Sequence, residues 1–423
     1  MLRRHPEFRK LWAGQTISLV GSQVTLLALP LTAVLVLHAS ASQLGLLYAA
    51  QTAPFLVLGL AAGVWVDRLR RRPILIAADL ARAALLGSIP IAAVLGVLSL
   101  AQLYLLGLLV GLCTVFFDVA YQSFLPVLVG REHLVEGNSR LEISRSTAEI
   151  VGPGLGGVLV QLLTPPLAVV VDAGSFLVSA VFLLAIRSPE AQPILGPGSR
   201  ASGGTRPGFW AELREGLAVV VGNPLLRRIA ACTSTSNLFG SAQQAILVLY
   251  ATRDLGLPAA VLGFALAAGS VGALLAALLT TRLTTRFGLG PGIVGGISLG
   301  GVGSLLLAVA GGPVLLAAAL VALGYGQLSF GSVLYNVNQV SLRQAITPDH
   351  VQGRMNATMR FLVWGTLPIG ALVGGVLGES VGLRSTLAVV AVGAMLTPLW
   401  VVLSPVRRLR ELPSKTSTGP GDL

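Results

Sequence analysis

Charge and cysteine are both scarce in this chain, and each scarcity excludes a class of protein. Only 11% of the 423 residues are charged, whereas 54% are hydrophobic. That balance is too apolar for a soluble globular protein. The two cysteines, Cys113 and Cys232, both lie inside apolar runs. They imply neither a disulfide framework nor a metal site, so no cofactor or metal is expected.

Long apolar runs are what the sequence has instead. The mean hydropathy is +0.82, and many runs exceed the roughly 18 residues that span a bilayer. The sequence therefore predicts an all-α polytopic membrane protein with twelve transmembrane helices. These are expected near residues 11–37, 41–66, 73–98, 102–127, 144–164, 166–186, 227–251, 258–281, 290–310, 313–341, 355–378 and 383–404.

The basic residues lie in alternate loops between these runs. Of the 29 Arg and Lys residues, only Arg253 and Arg384 fall in loops predicted to face outward. This asymmetry predicts a multi-pass protein of the cell membrane with both termini in the cytoplasm. It also argues against nucleic acid as a partner despite the net charge of +12, because the charges do not form one basic face.

The chain divides into two similar halves. Residues 1–187 are predicted to form one six-helix bundle and residues 225–405 a second, pseudo-symmetric one. Residues 188–224 are predicted to be a cytoplasmic linker with an interfacial helix near 209–221, and residues 406–423 a cytoplasmic tail. An internal repeat at about 218 residues supports the division: Leu44-Gly45 returns as Leu262-Gly263, and Asn138 returns as Asn356.

A short basic loop follows the second predicted span. An apolar segment ends at Asp67 and continues directly into a cluster of arginines before Pro73. This stretch resembles the loop signature of the major facilitator superfamily. The resemblance implies a conformational switch, in which Asp67 would bond to the start of the eleventh helix and latch the outward-facing state. A simple topology anchor is the alternative. The residues assigned to the switch are Gly59, Gly63, Asp67, Arg68, Arg71 and Arg72.

A second motif lies in the fifth predicted span. Gly152-Pro153-Gly154-Leu155-Gly156-Gly157 matches the Gly-Pro-x-x-Gly-Gly core common in exporters of this superfamily. The motif residues are Gly152, Pro153, Gly156 and Gly157. Proline and glycine let a helix bend and pack closely. The same letters spell a dinucleotide-binding pattern, but no strand precedes them, and the chain is not expected to be an enzyme.

Further stretches resemble the branch of drug:proton antiporters that contains macrolide-efflux and siderophore exporters. They include Phe8–Trp12, Asp118 with Phe124–Pro126, and Asp172–Phe176. One departure stands out. Leu105–Phe117 in the fourth span carries no charge, whereas many proton-coupled relatives have an arginine in this helix.

Ionisable residues inside membrane spans are costly and are candidates for proton coupling. The candidates are Asp118, Arg82, Asp172 and Glu149. Arg82 and Asp118 lie at similar depths, which predicts an ion pair that a proton on Asp118 could release; a static structural pair is the alternative. Asp172 is either a second titrating site or a carboxylate satisfied by hydroxyls such as that of Ser175. Glu149 can pair with Arg145 along one helix face.

Amide, phenol and indole side chains supply the candidate substrate cavity. Such groups orient a ligand without a fixed charge while an apolar wall holds it, which predicts a neutral or amphipathic organic substrate. Interhelical packing is the alternative role of each residue. The candidates are Gln23, Gln51, Tyr121, Asn237, Gln244, Gln327, Asn336, Asn338 and Trp364.

The sequence thus predicts a monomeric secondary transporter. It would export a small hydrophobic or amphipathic molecule by proton antiport, with the two halves rocking in alternating access. Its expected partners are the substrate, protons and membrane lipids. Two alternatives keep the fold: a lysolipid or lipid translocator, and a facilitated importer. A non-transporting membrane sensor is the alternative from another class.

Overall fold

The computed structural model describes residues 5–58, 69–130, 133–187, 209–348 and 351–411. Within these ranges the chain is helical and contains no strand. Its α-helices are α1 Pro6–Leu35, α2 Ala41–Leu58, α3 Arg71–Val94, α4 Leu100–Val129, α5 Leu134–Leu163, α6 Pro165–Ala185, α7 Phe209–Gly222, α8 Pro224–Leu249, α9 Ala259–Phe287, α10 Leu289–Val309, α11 Val314–Ile346, α12 Gln352–Ser380, α13 Leu383–Leu396 and α14 Leu399–Val402.

Ten spans within the described residues are long and apolar enough to cross a membrane. The helices α2 and α8 occupy the predicted second and seventh positions and are not among the ten: α2 is described over only 18 residues, and α8 is rich in polar side chains. Length and composition therefore support ten of the twelve predicted spans directly. The predicted all-α polytopic class is confirmed. The helix α7 ends one residue beyond the predicted segment, at Gly222.

The fifth predicted span begins too late. The prediction started at residue 144, whereas α5 begins at Leu134. Its first turns are too polar to register as apolar sequence, and an i, i+4 ion pair between Arg140 and Glu136, 2.9 Å long, supports them. The last predicted span is also interrupted between α13 and α14, at Thr397 and Pro398.

The chain forms two compact units. The first comprises Met1–Gly203 with Ala251–Ala267, and the second comprises Gly204–Tyr250 with Ala268–Leu423. The first unit thus includes residues 251–267, which the prediction assigned to the second bundle. In the first unit, α6 packs against α1 and α3, and α4 packs against α2 and α3.

Close contact between α1 and α6 depends on glycine. A Cβ at Gly21 would lie 2.3 Å from Ser175 Oγ and 2.8 Å from Asp172 Oδ1. Only a residue without a side chain lets the two helices approach this closely. The contact holds the Asp172 side of α6 directly against α1.

At one end of the same unit, Arg72 ties the start of α3 to the end of α6. Its Nε donates to the carbonyl oxygen of Leu183 at 2.9 Å, and Nη2 donates to that of Leu184 at 2.8 Å. A cation at the last carbonyls of a helix is favoured by the helix dipole.

The second unit is built mainly from the α10–α11 and α8–α12 contacts. Its described core includes Ile229, Ile293, Leu342, Met355 and Met359. A buried hydrogen bond of 2.6 Å between Thr233 Oγ1 and Tyr335 Oη joins α8 to α11.

Candidate functional site

A cavity of about 300 Å³ lies within the first unit. Five helices, α1, α2, α3, α4 and α6, contribute to its wall. The wall is largely apolar and aromatic, with a few polar groups at defined positions. It is lined by Ser22, Thr25, Leu26, Leu29, Tyr48, Gln51, Thr52, Phe55, Arg82, Leu86, Ile89, Leu106, Gly107, Val110, Gly111, Thr114, Asp172 and Phe176. Three predicted site residues, Arg82, Asp172 and Gln51, therefore meet at one cavity.

Asp172 is the carboxylate of this cavity. It is 1% exposed, and its Oδ1 accepts hydrogen bonds from Ser175 Oγ at 3.1 Å and Ser22 Oγ at 3.3 Å. No ion pair joins it to a basic residue among the described parts of the chain. A buried carboxylate held only by hydroxyls can take up a proton without breaking an ion pair.

Arg82 is engaged by another carboxylate. It forms a buried ion pair with Asp79, three residues earlier on α3. Its guanidinium also lies 4.3 Å from the ring centre of Phe117 and 4.1 Å from that of Phe176, both favourable cation–π distances. The ion pair that the structure shows for Arg82 is therefore with Asp79, and not the predicted one with Asp118.

Two glycines on α4 bring Gln51 to the cavity wall. A Cβ at Gly111 would lie 2.5 Å from the carbonyl oxygen of Gln51, and one at Gly107 would lie 3.1 Å from Gln51 Cγ. Neither glycine was predicted to lie at the site, although their spacing of four residues is the small-residue pattern of close helix packing. Tyr48 and Phe55 were not predicted either, because an apolar sequence gives no signal that distinguishes cavity residues from the rest.

The remaining candidates for coupling lie elsewhere in the first unit. Asp118 and Tyr121 are on α4, and the Tyr121 ring stacks on Phe117 with centres 6.1 Å apart. Glu149 lies 3.3 Å from Arg145, which also approaches Glu142 at 3.6 Å, and all three side chains are substantially exposed. Exposed pairs of this kind contribute little to stability.

The exporter motif packs on two neighbours through two faces of α5. On one face, a Cβ at Gly152 would lie 2.2 Å from Gln23 Cβ, and one at Gly156 would lie 3.2 Å from Val24 Cα. Gln23, a predicted cavity residue, thus packs against the motif.

The other face of the motif meets the start of α9. A Cβ at Gly157 would lie 2.5 Å from the carbonyl oxygen of Ala259 and 3.0 Å from Gly263 Cα. A Cβ at Gly263 would lie 2.3 Å from the carbonyl oxygen of Pro153. The backbones of α5 and α9 therefore touch directly at this motif.

In the second unit, the predicted cavity residues make varied contacts. Asn237 Nδ2 donates to the carbonyl oxygen of Val363 at 3.1 Å, and Asn338 Oδ1 accepts from Thr284 at 2.8 Å. Asn336 Oδ1 accepts from Gln339 at 3.0 Å. These three bonds are within or between helices, as in packing contacts.

Three further candidates complete this set. Gln244 is exposed, and Gln327 has a buried Oε1 without a hydrogen-bond partner. The ring of Trp364 lies 4.6 Å from the guanidinium carbon of Arg360. A role of these three residues in substrate binding therefore stays a prediction.

Most residues of the predicted conformational switch lie outside the described residues; these are Gly59, Gly63, Asp67 and Arg68. Arg71 and Arg72 begin α3. The described parts of the chain contain no group of three or more His, Cys, Asp and Glu side chains that could hold a metal ion.

Comparisons with known proteins agree with this architecture. A family model described as a transmembrane secretion effector matches residues 2–420. The chain is 29% identical over 421 residues to the multidrug efflux pump Tap of Mycolicibacterium fortuitum, covering 97% of this chain and 98% of that protein. It is 27% identical over 430 residues to the enterobactin exporter EntS of Salmonella typhimurium, covering 99% and 97%.

A solved structure shows the same fold. The bacterial homologue of the iron transporter ferroportin, in an inward-facing state, superposes with a TM-score of 0.72 at 19% identity, covering 95% of this chain and 98% of that one. At that identity the likeness concerns the fold alone.

Proposed function

The chain belongs to the transmembrane secretion effector family of major facilitator transporters, and from that premise we propose that it exports a small hydrophobic or amphipathic molecule by proton antiport. It is a multi-pass membrane protein. Full-length similarity to relatives named as a multidrug efflux pump and an enterobactin exporter supports small-molecule export. The Gly-Pro-x-x-Gly-Gly motif at Gly152–Gly157, which resembles that of exporters in this superfamily, favours an exporter over an importer.

The buried position of Asp172 in the first unit's cavity carries the proposal of proton coupling. An isolated charge is expensive in an apolar setting, and Asp172 is bonded only to hydroxyls. Among the described residues, the charged groups facing the cavity are Asp172 on α6 and Arg82 on α3, and Tyr48 on α2 is the other titratable group of its lining. Arg82 is already bonded to Asp79, so a proton is the cation that can neutralise Asp172.

The coupling step follows from this arrangement. A proton that enters from the outside binds Asp172. The cavity then has no net negative charge. Conversion to the inward-open state then releases the proton to the cytoplasm, and the substrate is carried outward in the opposite step. Asp172 is thereby proposed for the coupling role that the sequence predicted first for Asp118. Asp118 and Glu149 stay candidates for a second step.

The substrate is proposed to contact the apolar and aromatic wall beside Asp172. Tyr48, Phe55 and Phe176 provide aromatic surface, and Gln51 and Thr114 provide hydrogen-bonding groups. Such a wall suits an amphipathic organic molecule, because a few polar groups orient it while the apolar surface holds it.

The remaining sequence-based assignments stay part of the proposal. Both termini are placed in the cytoplasm by the distribution of Arg and Lys, and the protein acts as a monomer surrounded by membrane lipids. The Asp67 latch is proposed on the resemblance of its loop. The chain is proposed to carry out transport and no catalysis.

Transport by purified protein in proteoliposomes tests the proposal. A panel of macrolide-like, catechol-containing and other amphipathic compounds is offered with and without an imposed pH gradient. Gradient-dependent flux of one or more compounds is expected. Flux that ignores the gradient would contradict antiport and favour facilitated transport, and lipid movement alone would favour a translocator. An absence of flux for every compound and lipid would contradict the export proposal.

A further inference from the structure

A second large concave surface lies in the second unit. We call it the α9–α11 groove, a cavity of about 880 Å³ beside the end of α9, the start of α10 and the chain that follows α14. It is lined by Thr280, Thr281, Thr284, Thr285, Arg286, Phe287, Gly288, Leu289, Val337, Asn338, Ser341, Arg410 and Glu411. None of its residues belongs to the cavity of the first unit.

Two arginines in the groove lack a carboxylate partner. Arg286 and Arg410 are both exposed, and neither forms an ion pair within the described residues. Glu411 also lines the groove, yet it is paired with neither of them there. The ionisable lining therefore has one net positive charge, and two guanidinium groups remain available to an anion.

The position of Arg410 is fixed by backbone hydrogen bonds. The amide of Leu289 donates to the carbonyl oxygen of Arg410 at 3.2 Å, and that of Gly290 donates to Leu409 at 2.8 Å. Gly290 permits this contact, because a Cβ there would lie 2.1 Å from the carbonyl oxygen of Val406. The segment that follows α14 is thus docked at the start of α10, which holds Arg410 at the groove.

The groove wall between the arginines is polar. Thr281 and Thr285 lie four residues apart on α9 and therefore share a face. Ser341 on α11 and Thr284 complete this wall, the latter bonded to Asn338 at 2.8 Å. Hydroxyl groups of this kind can bond to phosphate or glycerol oxygens.

The outer side of the groove is apolar and exposed. Phe287 and Val337, both in the lining, are 58% and 48% exposed. About two to two and a half turns before Phe287 on α9, Leu278 and Leu279 are 66% and 36% exposed. Because α9 is a membrane-spanning helix by length and composition, these side chains would face acyl chains next to the basic groove.

We propose that the α9–α11 groove binds the phosphate headgroup of an anionic phospholipid from the cytoplasmic leaflet. The groove lies at the end of the unit that contains the arginine-rich segment 405–411, which the positive-inside rule places in the cytoplasm. Basic surfaces at this level attract anionic lipids. A soluble anion would need only the arginines, whereas a lipid also accounts for the exposed apolar side chains beside them.

Lipid binding by the intact protein tests the assignment. Purified protein is titrated with short-chain phosphatidylglycerol, with short-chain phosphatidylcholine and with glycerol phosphate, and bound lipid is counted by native mass spectrometry. Arg286→Gln with Arg410→Gln is the test variant. Arg253→Gln with Arg384→Gln removes the same charge from exposed sites outside the groove and serves as the control.

The wild type and the control are expected to prefer phosphatidylglycerol over phosphatidylcholine. In the test variant, the dissociation constant for phosphatidylglycerol should rise by about tenfold or more, as expected when two basic contacts near the membrane surface are lost. Equal affinity of the wild type for both lipids would overturn the assignment, as would an unchanged constant in the test variant or an equal loss in the control. Binding of glycerol phosphate as tight as that of the lipid would assign the groove to a soluble anion.

Discussion

Arg82 and Asp79 form an ion pair on adjacent turns of α3, and almost none of either side chain is exposed, 7% and 0% respectively. The guanidinium also lies between the rings of Phe117 and Phe176. The charge of Arg82 is therefore compensated within its own helix, and Asp172 across the cavity is left without an ion-pair partner among the described residues.

Removing one member of this pair should cost more than removing both. We expect Asp79→Asn and Arg82→Gln each to lower the free energy of unfolding by roughly 3–5 kcal/mol, because each leaves a buried charge without its partner. The double variant should be more stable than either single one. Thermal unfolding in detergent compares the wild type, the two single variants and the double variant. If the loss of stability in the double variant equals the sum of the two single losses, the pairing is contradicted.

The two glycine faces of the exporter motif should not tolerate a methyl group. Gly157→Ala would place a Cβ 2.5 Å from the carbonyl oxygen of Ala259, and Gly152→Ala would place one 2.2 Å from Gln23 Cβ. Overpacking of this kind costs roughly 1–3 kcal/mol, and we expect a lower melting temperature and slower transport.

Gly300→Ala is the matched control for these variants, because a Cβ at Gly300 meets no atom within 4 Å. It should keep the wild-type melting temperature and transport rate. Wild-type behaviour of both Gly152→Ala and Gly157→Ala would show that α5 does not need its close contacts.

Arg343 on α11 offers a stabilising substitution. This buried guanidinium bonds to Asn356 Oδ1 at 2.9 Å and Gln339 Oε1 at 3.2 Å, and no carboxylate pairs with it among the described residues. Asn356→Asp keeps the side-chain shape and places a carboxylate against this buried guanidinium, so that the buried positive charge gains a partner of opposite charge. We expect a higher melting temperature in detergent, whereas Asn356→Leu should lower it. A fall for Asn356→Asp as large as that for Asn356→Leu would contradict this account.

The sequence predicted the positions of the helices far better than the contacts between side chains of neighbouring helices. Apolar runs marked the spans because a helix that crosses the bilayer must be apolar along its length. Arg-rich loops marked their ends because Arg and Lys concentrate in cytoplasmic loops. The start of α5 was placed ten residues late, since its first turns are amphipathic and supported by the Arg140–Glu136 pair. Hydropathy has no signal for a helix that continues beyond its apolar part.

The partner of Arg82 could not be derived from depth alone. Asp118 lies at a similar distance from its helix end, but contact depends on which way each side chain points around the helix axis. Membrane helices that are apolar on most faces leave that rotation undetermined. The i, i+3 spacing of Asp79 and Arg82 was visible in the sequence. The contact between Gly21 and Ser175, by contrast, could not be predicted without knowing that α1 packs against α6.

Asp172 is proposed to carry the coupled proton, and a comparison of gradient-driven transport with substrate exchange tests this role. Asp172→Asn, Asp118→Asn and wild type are reconstituted, and substrate flux is measured with a pH gradient and as substrate–substrate exchange without one. We predict that Asp172→Asn keeps exchange but loses stimulation by the gradient, whereas Asp118→Asn keeps exchange and at least part of the stimulation. Full gradient stimulation in Asp172→Asn would contradict the account, and its loss in Asp118→Asn alone would return coupling to α4.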